Sequence, residues 1–298
     1  MSNALLEADW WYARLYPGGI DHLDLAVSTC LPPLVELATT HGANRWFFIQ
    51  YTDWKGPHLR LRVHGPRNTL DLLHRQLPRL EIELKQLSRR QVSSRGSLIP
   101  LELRPFSGRH SGADVTIYEP EDTKYGGPAG TELAEGVFQR SSELALWAGR
   151  LPRHPDRAAL AVLLLNASAA AIEALGQDID IPQFWERHLA WWTHDTGKEA
   201  EGLRAQLRSS AGEDLWGIAV KVALLASDPA VHAYTQGWTM SLLEYLVRAS
   251  EDGTPYSAGH LVFHQAHMMC NRLGILPREE ALLGIMAAQL HGMSVTNL

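Results

Sequence analysis

The segment RWFFIQYTDWKGPHLRLRVH, Arg45 to His64, decides how the chain is to be read. Two strongly apolar runs, Arg45 to Tyr51 and His58 to His64, flank Thr52-Asp53-Trp54-Lys55-Gly56-Pro57 and predict a β-hairpin closed by a six-residue loop. Side chains alternate faces along a strand. Leu59, Leu61 and Val63 therefore share the face that seeks a core, and His58, Arg60, Arg62 and His64 share the other. Two guanidinium and two imidazole groups in a row suit carboxylates or amide oxygens. The same row also reads as a solvated face whose arginines pair with acids.

Outward from the hairpin, Trp10 to Tyr16 predicts a strand ended by Pro17-Gly18-Gly19, and Asp21 to Thr40 a helix interrupted by Pro32-Pro33. Thr69 to Leu87 carries leucines at helical spacing, Leu98 to Arg104 and Asp114 to Glu119 predict two more strands, and Glu121 to Gly130 a loop. From Thr131 onward the pattern is helical, about seven helices with breaks near Pro152, Pro182, Thr196, Gly212, Asp228, Gly253 and Pro277. The expected class is α+β: residues 1–298 as one domain, 1–130 an α+β part with a mixed sheet and 131–298 a helical part.

The 298 residues are 45% hydrophobic, enough for a substantial core, and the net charge of −6 is spread without long runs of one sign. A general grip on nucleic acid is not expected. Cys30 and Cys270 stand far apart among apolar neighbours, which fits two buried thiols in a reducing cytoplasm. No apolar run is long enough for a membrane span, and the N-terminus lacks signal-peptide regions. There is no phosphate-cradling glycine motif, no Gly-x-Ser-x-Gly elbow and no CxxC pair, so no cofactor is expected.

Ser257, His260, His264, His267 and Asn271 follow one another at spacings of three, four, three and four. At about 100° per residue they fall within an arc of roughly 80° on one helix. Three histidines on such a stripe are candidates for proton transfer near neutral pH. His260 and His264 also have zinc-helix spacing, but Leu261 stands where the glutamate of that motif belongs. The third alternative is buried histidines bonded to backbone or to each other. Between strand and helix, Tyr118 to Gly127 offers Glu121 and Lys124 as an acid and cation pair, or as surface charges at a helix entry.

Trp46 to Asp53 followed by Gly56-Pro57-His58-Leu59-Arg60-Leu61-Arg62 resembles the opening motif of the thiopeptide-type bacteriocin biosynthesis domain. The same domain forms the C-terminal glutamate-elimination part of class I lanthipeptide dehydratases. Tyr118-Glu119-Pro120-Glu121 with Tyr125-Gly126-Gly127, then Ser141-Ser142-Glu143, resembles its middle motif, and His267 to Gly274 its late His…Asn-Arg-Leu helix. The resemblance covers nearly the whole chain and implies an enzyme of one of two kinds. One eliminates glutamate from glutamylated Ser or Thr; the other, a pyridine synthase, joins two dehydroalanines into a pyridine-centred macrocycle and releases the leader.

The elimination motif's arginine pair corresponds to Arg60 and Arg62, its glutamate to Glu121 and its histidine to His267. Gln50 and Lys124 stand where elimination enzymes show arginines, and neither clamps a carboxylate as a guanidinium does. With no glutamylation region ahead of the domain in this sequence, the expectation tilts to the pyridine synthase, with the eliminase as alternative. The resemblance then implies His267, His264, Glu121 and Lys124 as catalytic groups. Arg60, Arg62, Gln50 and Asn271 hold amide oxygens, and His58, Tyr125 and Ser257 make further substrate contacts. The implied partner is a ribosomally made precursor peptide with its leader; a homodimer is compatible with the chain.

Overall fold

The structure is a computed structural model that describes residues 8–91, 110–150, 156–176 and 180–291. Its contacts gather into two units, Met1–Pro120 with Ala145–Arg150, and Glu121–Leu144 with Leu151–Leu298.

In the first unit, strands β1 (Ala8–Pro17), β2 (Arg45–Asp53), β3 (Gly56–Pro66) and β4 (Ser111–Thr116) form a sheet of order β2-β3-β1-β4. Every pairing is antiparallel, so the sheet is not mixed as expected. β3 is central, and its alternation is the one read from the sequence: Leu59, Leu61 and Val63 are fully buried. Facing them across the register are Trp46 and Phe48 on β2 and Trp11, Ala13 and Leu15 on β1, all buried. Helices α1 (Leu23–Thr29), α2 (Leu31–Thr40), α3 (Arg67–Arg75) and α4 (Leu77–Leu87) complete this unit, and α1, α3 and α4 pack on the sheet. Each leucine buried there contributes about 1.5–3 kcal/mol.

Several boundaries differ from expectation. The hairpin loop is two residues, Trp54-Lys55, because Asp53 pairs with Gly56. Gly56 takes φ 128 and the Asp53 carboxylate accepts from the Lys55 N–H at 2.9 Å, which closes the turn without strain on a side-chain-bearing residue. The helix expected over Asp21 to Thr40 breaks at Cys30, so that Pro32 and Pro33 enter a new helix where a missing N–H costs nothing. Pro78 divides Thr69 to Leu87 in the same way. β4 lies three residues earlier than read, and Tyr118 leaves the sheet to pack on Trp10, Tyr12 and Phe47. The strand expected over 98–104 lies outside the described residues.

The second unit is helical: α5 (Asp122–Tyr125), α6 (Pro128–Arg150) as far as Leu144, α7 (Arg157–Glu173), α8 (Ile181–Thr193), α9 (Ala200–Ala226), α10 (Pro229–Glu251), α11 (Ala258–Arg272) and α12 (Pro277–Leu290). α7 is apolar on every side and packs against α9, α10, α11 and α12, as a central helix must. Glu121 to Gly130 is not all loop, since α5 adds one helical turn ended by Gly126 at φ 89. No break occurs at Gly212; α9 runs through it, and a single glycine costs a helix only about 1 kcal/mol. No helix among the described residues is long and apolar enough to cross a membrane.

Candidate active site

On the polar face of the sheet, register brings Arg14, Tyr12 and Trp10 of β1 opposite Arg60, Arg62 and His64 of β3, with Ile49, Phe47 and Arg45 of β2 on the other side. His58 is fully buried, and burial pushes its pKa down to about 4. The neutral ring donates from Nδ1 to the Gly56 carbonyl at 3.0 Å and accepts at Nε2 from Arg60 Nε at 3.3 Å. His58 therefore aims Arg60 instead of standing free to bind. The Arg62 guanidinium, 9% exposed, is surrounded by the rings of Tyr12, Phe47 and Tyr118 at 4.7, 5.5 and 4.9 Å. A delocalised cation tolerates such a cage where an ammonium would not.

Asp53 anchors the other end of this face. It accepts from the Tyr16 hydroxyl at 2.9 Å and lies 3.5 Å from Arg14. Burial opposes ionisation, yet the Tyr16 hydroxyl, nearby His58, the Lys55 N–H and Arg14 keep the carboxyl below its ordinary range. Gln50 pairs with Leu59 and so stands on the opposite face from Arg60 and Arg62. The expected joint hold on substrate by these three residues does not form on that face. Parity along β2 hid this, because Trp46-Phe47-Phe48-Ile49 is apolar on both faces.

In the helical unit, α8 and α11 enclose a cavity of about 730 Å³ whose walls include Phe184, His188, Trp191, His260, Phe263 and His264. Ser257 lies at its edge and spends its hydroxyl accepting from the His260 N–H as the cap of α11, at 3.3 Å. His260 stacks on Tyr256 at 4.4 Å and approaches the Lys124 carbonyl at 3.4 Å. His264 is 4% exposed; burial first, then the Lys124 charge and the neighbouring histidines, press its pKa down to about 3. Its ring is therefore held neutral near pH 7.

Lys124 pairs with exposed Glu121 at 3.1 Å. Tyr125 is buried, edge-on to Phe138 and His264, and so braces the cavity wall rather than meeting solvent. His267 turns from the cavity-lining histidines: its Nδ1 is 2.9 Å from Glu280, and its ring lies 4.7 Å from Trp192. Asn271 follows half-buried one turn on. Among the described residues no three His, Cys, Asp or Glu side chains gather as metal ligands, so the zinc spacing does not converge.

Sequence reasoning passed over His188 and Glu280. Both were visible as polar residues on apolar stripes, His188 between Phe184 and Trp192 and Glu280 ahead of Leu283 and Ala287. Burial would raise the Glu280 carboxyl, but hydrogen bonds with His188 and His267 hold it down at about 2.

Residues 10–290 match the family described as lantibiotic biosynthesis dehydratase C-term. The chain is 29% identical over 136 residues to the nisin biosynthesis protein NisB of Lactococcus lactis subsp. lactis, an alignment spanning 46% of this chain and 11% of NisB. Among solved structures it is similar to the tRNA dependent lantibiotic dehydratase MibB from Microbispora sp. 107891, with TM-score 0.63 and 24% identity over 94% of this chain and 27% of that one. It is similar also to TbtD, a pyridine synthase from thiomuracin biosynthesis, with TM-score 0.67 and 18% identity over 97% of this chain and 99% of that one. These likenesses establish a common fold.

Proposed function

The chain belongs to the family of lantibiotic biosynthesis dehydratase C-terminal domains, and from that premise we propose that it is a pyridine synthase acting on a dehydrated precursor peptide. The observation that carries this reading is the wall of the cavity between α8 and α11. Its rings, Phe184, Trp191 and Phe263, and its neutral His264 suit an uncharged peptide bearing alkenes. Among the described residues Arg187 is the single guanidinium on that wall, and Lys124 is paired with Glu121.

The reaction balances without an oxidant. An amide between one dehydroalanine and its neighbour tautomerises to an iminol, giving a 2-azadiene. This adds across the alkene of the second dehydroalanine, forming two carbon–carbon bonds of a six-membered ring. Loss of water and then of the leader as a carboxamide leaves the pyridine. Holding two distant alkenes together removes much of the entropic barrier. His267, with Glu121 and Lys124, moves the protons of tautomerisation and elimination; His264 accepts a hydrogen bond without changing charge. Arg60 and Arg62 hold amide oxygens on the sheet face.

The same arginine pair favours a second reading, elimination of glutamate from glutamyl-serine. Mass spectrometry of the protein with two peptides separates the two. Loss of water with release of a leader carboxamide from a multiply dehydrated peptide supports the synthase; loss of glutamate from a glutamyl-ester peptide replaces it with the eliminase. Single-turnover rates unchanged in both His267→Ala and Glu121→Ala would remove these residues from the chemistry.

A further inference from the structure

Glu280 joins two helices through one carboxylate. It stands in the first turn of α12, where backbone N–H groups favour an anion, and it is fully buried. Its oxygens take separate partners: Oε1 lies 3.3 Å from Nε2 of His188 on α8, and Oε2 lies 2.9 Å from Nδ1 of His267 on α11. An ionised carboxylate only accepts, so both of these ring nitrogens carry hydrogen. A neutral imidazole has one N–H, and each ring is thereby held in one tautomer. In its neutral form His267 then has Nε2 bare, and His188 has Nδ1 bare.

The two bare nitrogens have different surroundings. Nδ1 of His188 lies against Gly284 of α12, so close that a Cβ added there would stand 2.6 Å from it. With a side chain 1% exposed, that ring is wedged in place. The His267 side chain is 21% exposed and lies 4.7 Å from Trp192. Of the two rings, only that of His267 is open to solvent.

We propose that Glu280 is a positioning residue that makes His267 the base of the site: it accepts from Nδ1, presents Nε2, and is itself held in place by His188 wedged on Gly284. This rests on the reading of His267 as a proton-handling group, though not on which of the two reactions it serves. The groups bearing on the carboxylate are His188 and His267. Its charge in turn reaches buried Cys270 on α11, along with that of Glu279 on α12, while His267 also acts electrostatically on His264 of its own helix.

The test uses the full chain labelled with ¹⁵N-histidine, comparing wild type with Glu280→Met, a residue of similar length that offers His267 only a weak acceptor. Two-bond ¹⁵N–¹H spectra report the tautomer of His267 without any substrate. The expected result is an Nδ1–H tautomer in wild type that is lost in Glu280→Met, with turnover falling about 10²-fold. An unchanged His267 tautomer overturns the inference while leaving His267 itself in play, which His267→Ala then checks. A moved tautomer with unchanged turnover shows that His267 is not the base, and the inference falls together with that reading. If Glu280→Met does not fold, the wild-type spectrum carries the test: an Nδ1–H tautomer of His267 supports the assignment, and an Nε2–H tautomer overturns it.

Discussion

The guanidinium carbon of Arg60 lies 3.4 Å from the centroid of the Tyr51 ring, and the Nε of the same group donates to His58. One buried imidazole and one half-exposed ring thus hold a cation flat on the sheet. A lysine offers no plane to stack and no fork to direct. Arg60→Lys should weaken peptide binding about tenfold, while its effect on stability stays within about 1 kcal/mol. Isothermal titration with the precursor peptide, beside a urea melt, checks both halves.

Acid should unfold the protein through His58 and His264. Both are held neutral, at about 4 and about 3, chiefly by burial, whereas in the unfolded chain each titrates near 6.5. The unfolded state binds the extra protons, so stability is complete above pH 6.5 and declines as pH falls through the window down to 4 and 3. Glu280 adds its own loss between about 4.5 and 2, since its folded value is depressed. Urea midpoints measured from pH 7 to pH 4 should fall steadily, and the double variant His58→Gln/His264→Gln should flatten that slope.

Two glycine substitutions should act in opposite directions. A Cβ at Gly284 meets the His188 ring at 2.6 Å, whereas one at Gly212 meets nothing within 4 Å. Gly284→Ala should destabilise by about 1–3 kcal/mol through overpacking. Gly212→Ala, in the interior of α9, should stabilise by about 0.5–1 kcal/mol by removing backbone freedom from the unfolded chain. Denaturant midpoints of the two variants decide the matter.

Gly130 is the tightest approach of this kind among the described residues. A Cβ there would lie 1.9 Å from the carbonyl oxygen of Tyr125, which belongs to backbone and cannot swing aside. Gly130→Ala should displace the α5 turn with Lys124 and Tyr125, and so loosen the packing of Tyr125 on His264. Turnover should fall at least about tenfold with the helical content intact. Circular dichroism and a single-turnover assay read the two effects separately.

Much of this architecture was legible locally. The run His58 to His64 announced its two faces, because Leu and Arg alternate there without a break. α11 announced its polar stripe, because three and four are the steps that return to one side of a helix. The prolines at 32, 33 and 78 marked helix starts, although the first two were read as an interruption and Pro78 was passed over. The β2 run was opaque, since apolar residues on both faces erase the period of two, and the side taken by Gln50 followed only from its pairing with Leu59.

The sequence by itself determined the α+β class, the hairpin with its two-faced second strand, the helical second half and the family motifs. Each of these is written in short-range periodicity and in residues that restrict their own backbone. Tertiary structure alone decided that His58 serves Arg60, that burial lowers the pKa of His264, and that Glu280 is shared by His188 and His267. The residues concerned lie up to 92 positions apart, and helical periodicity tells which way a side chain points but not what waits there. Partner, burial and therefore charge state arise from packing between elements, which no local pattern encodes.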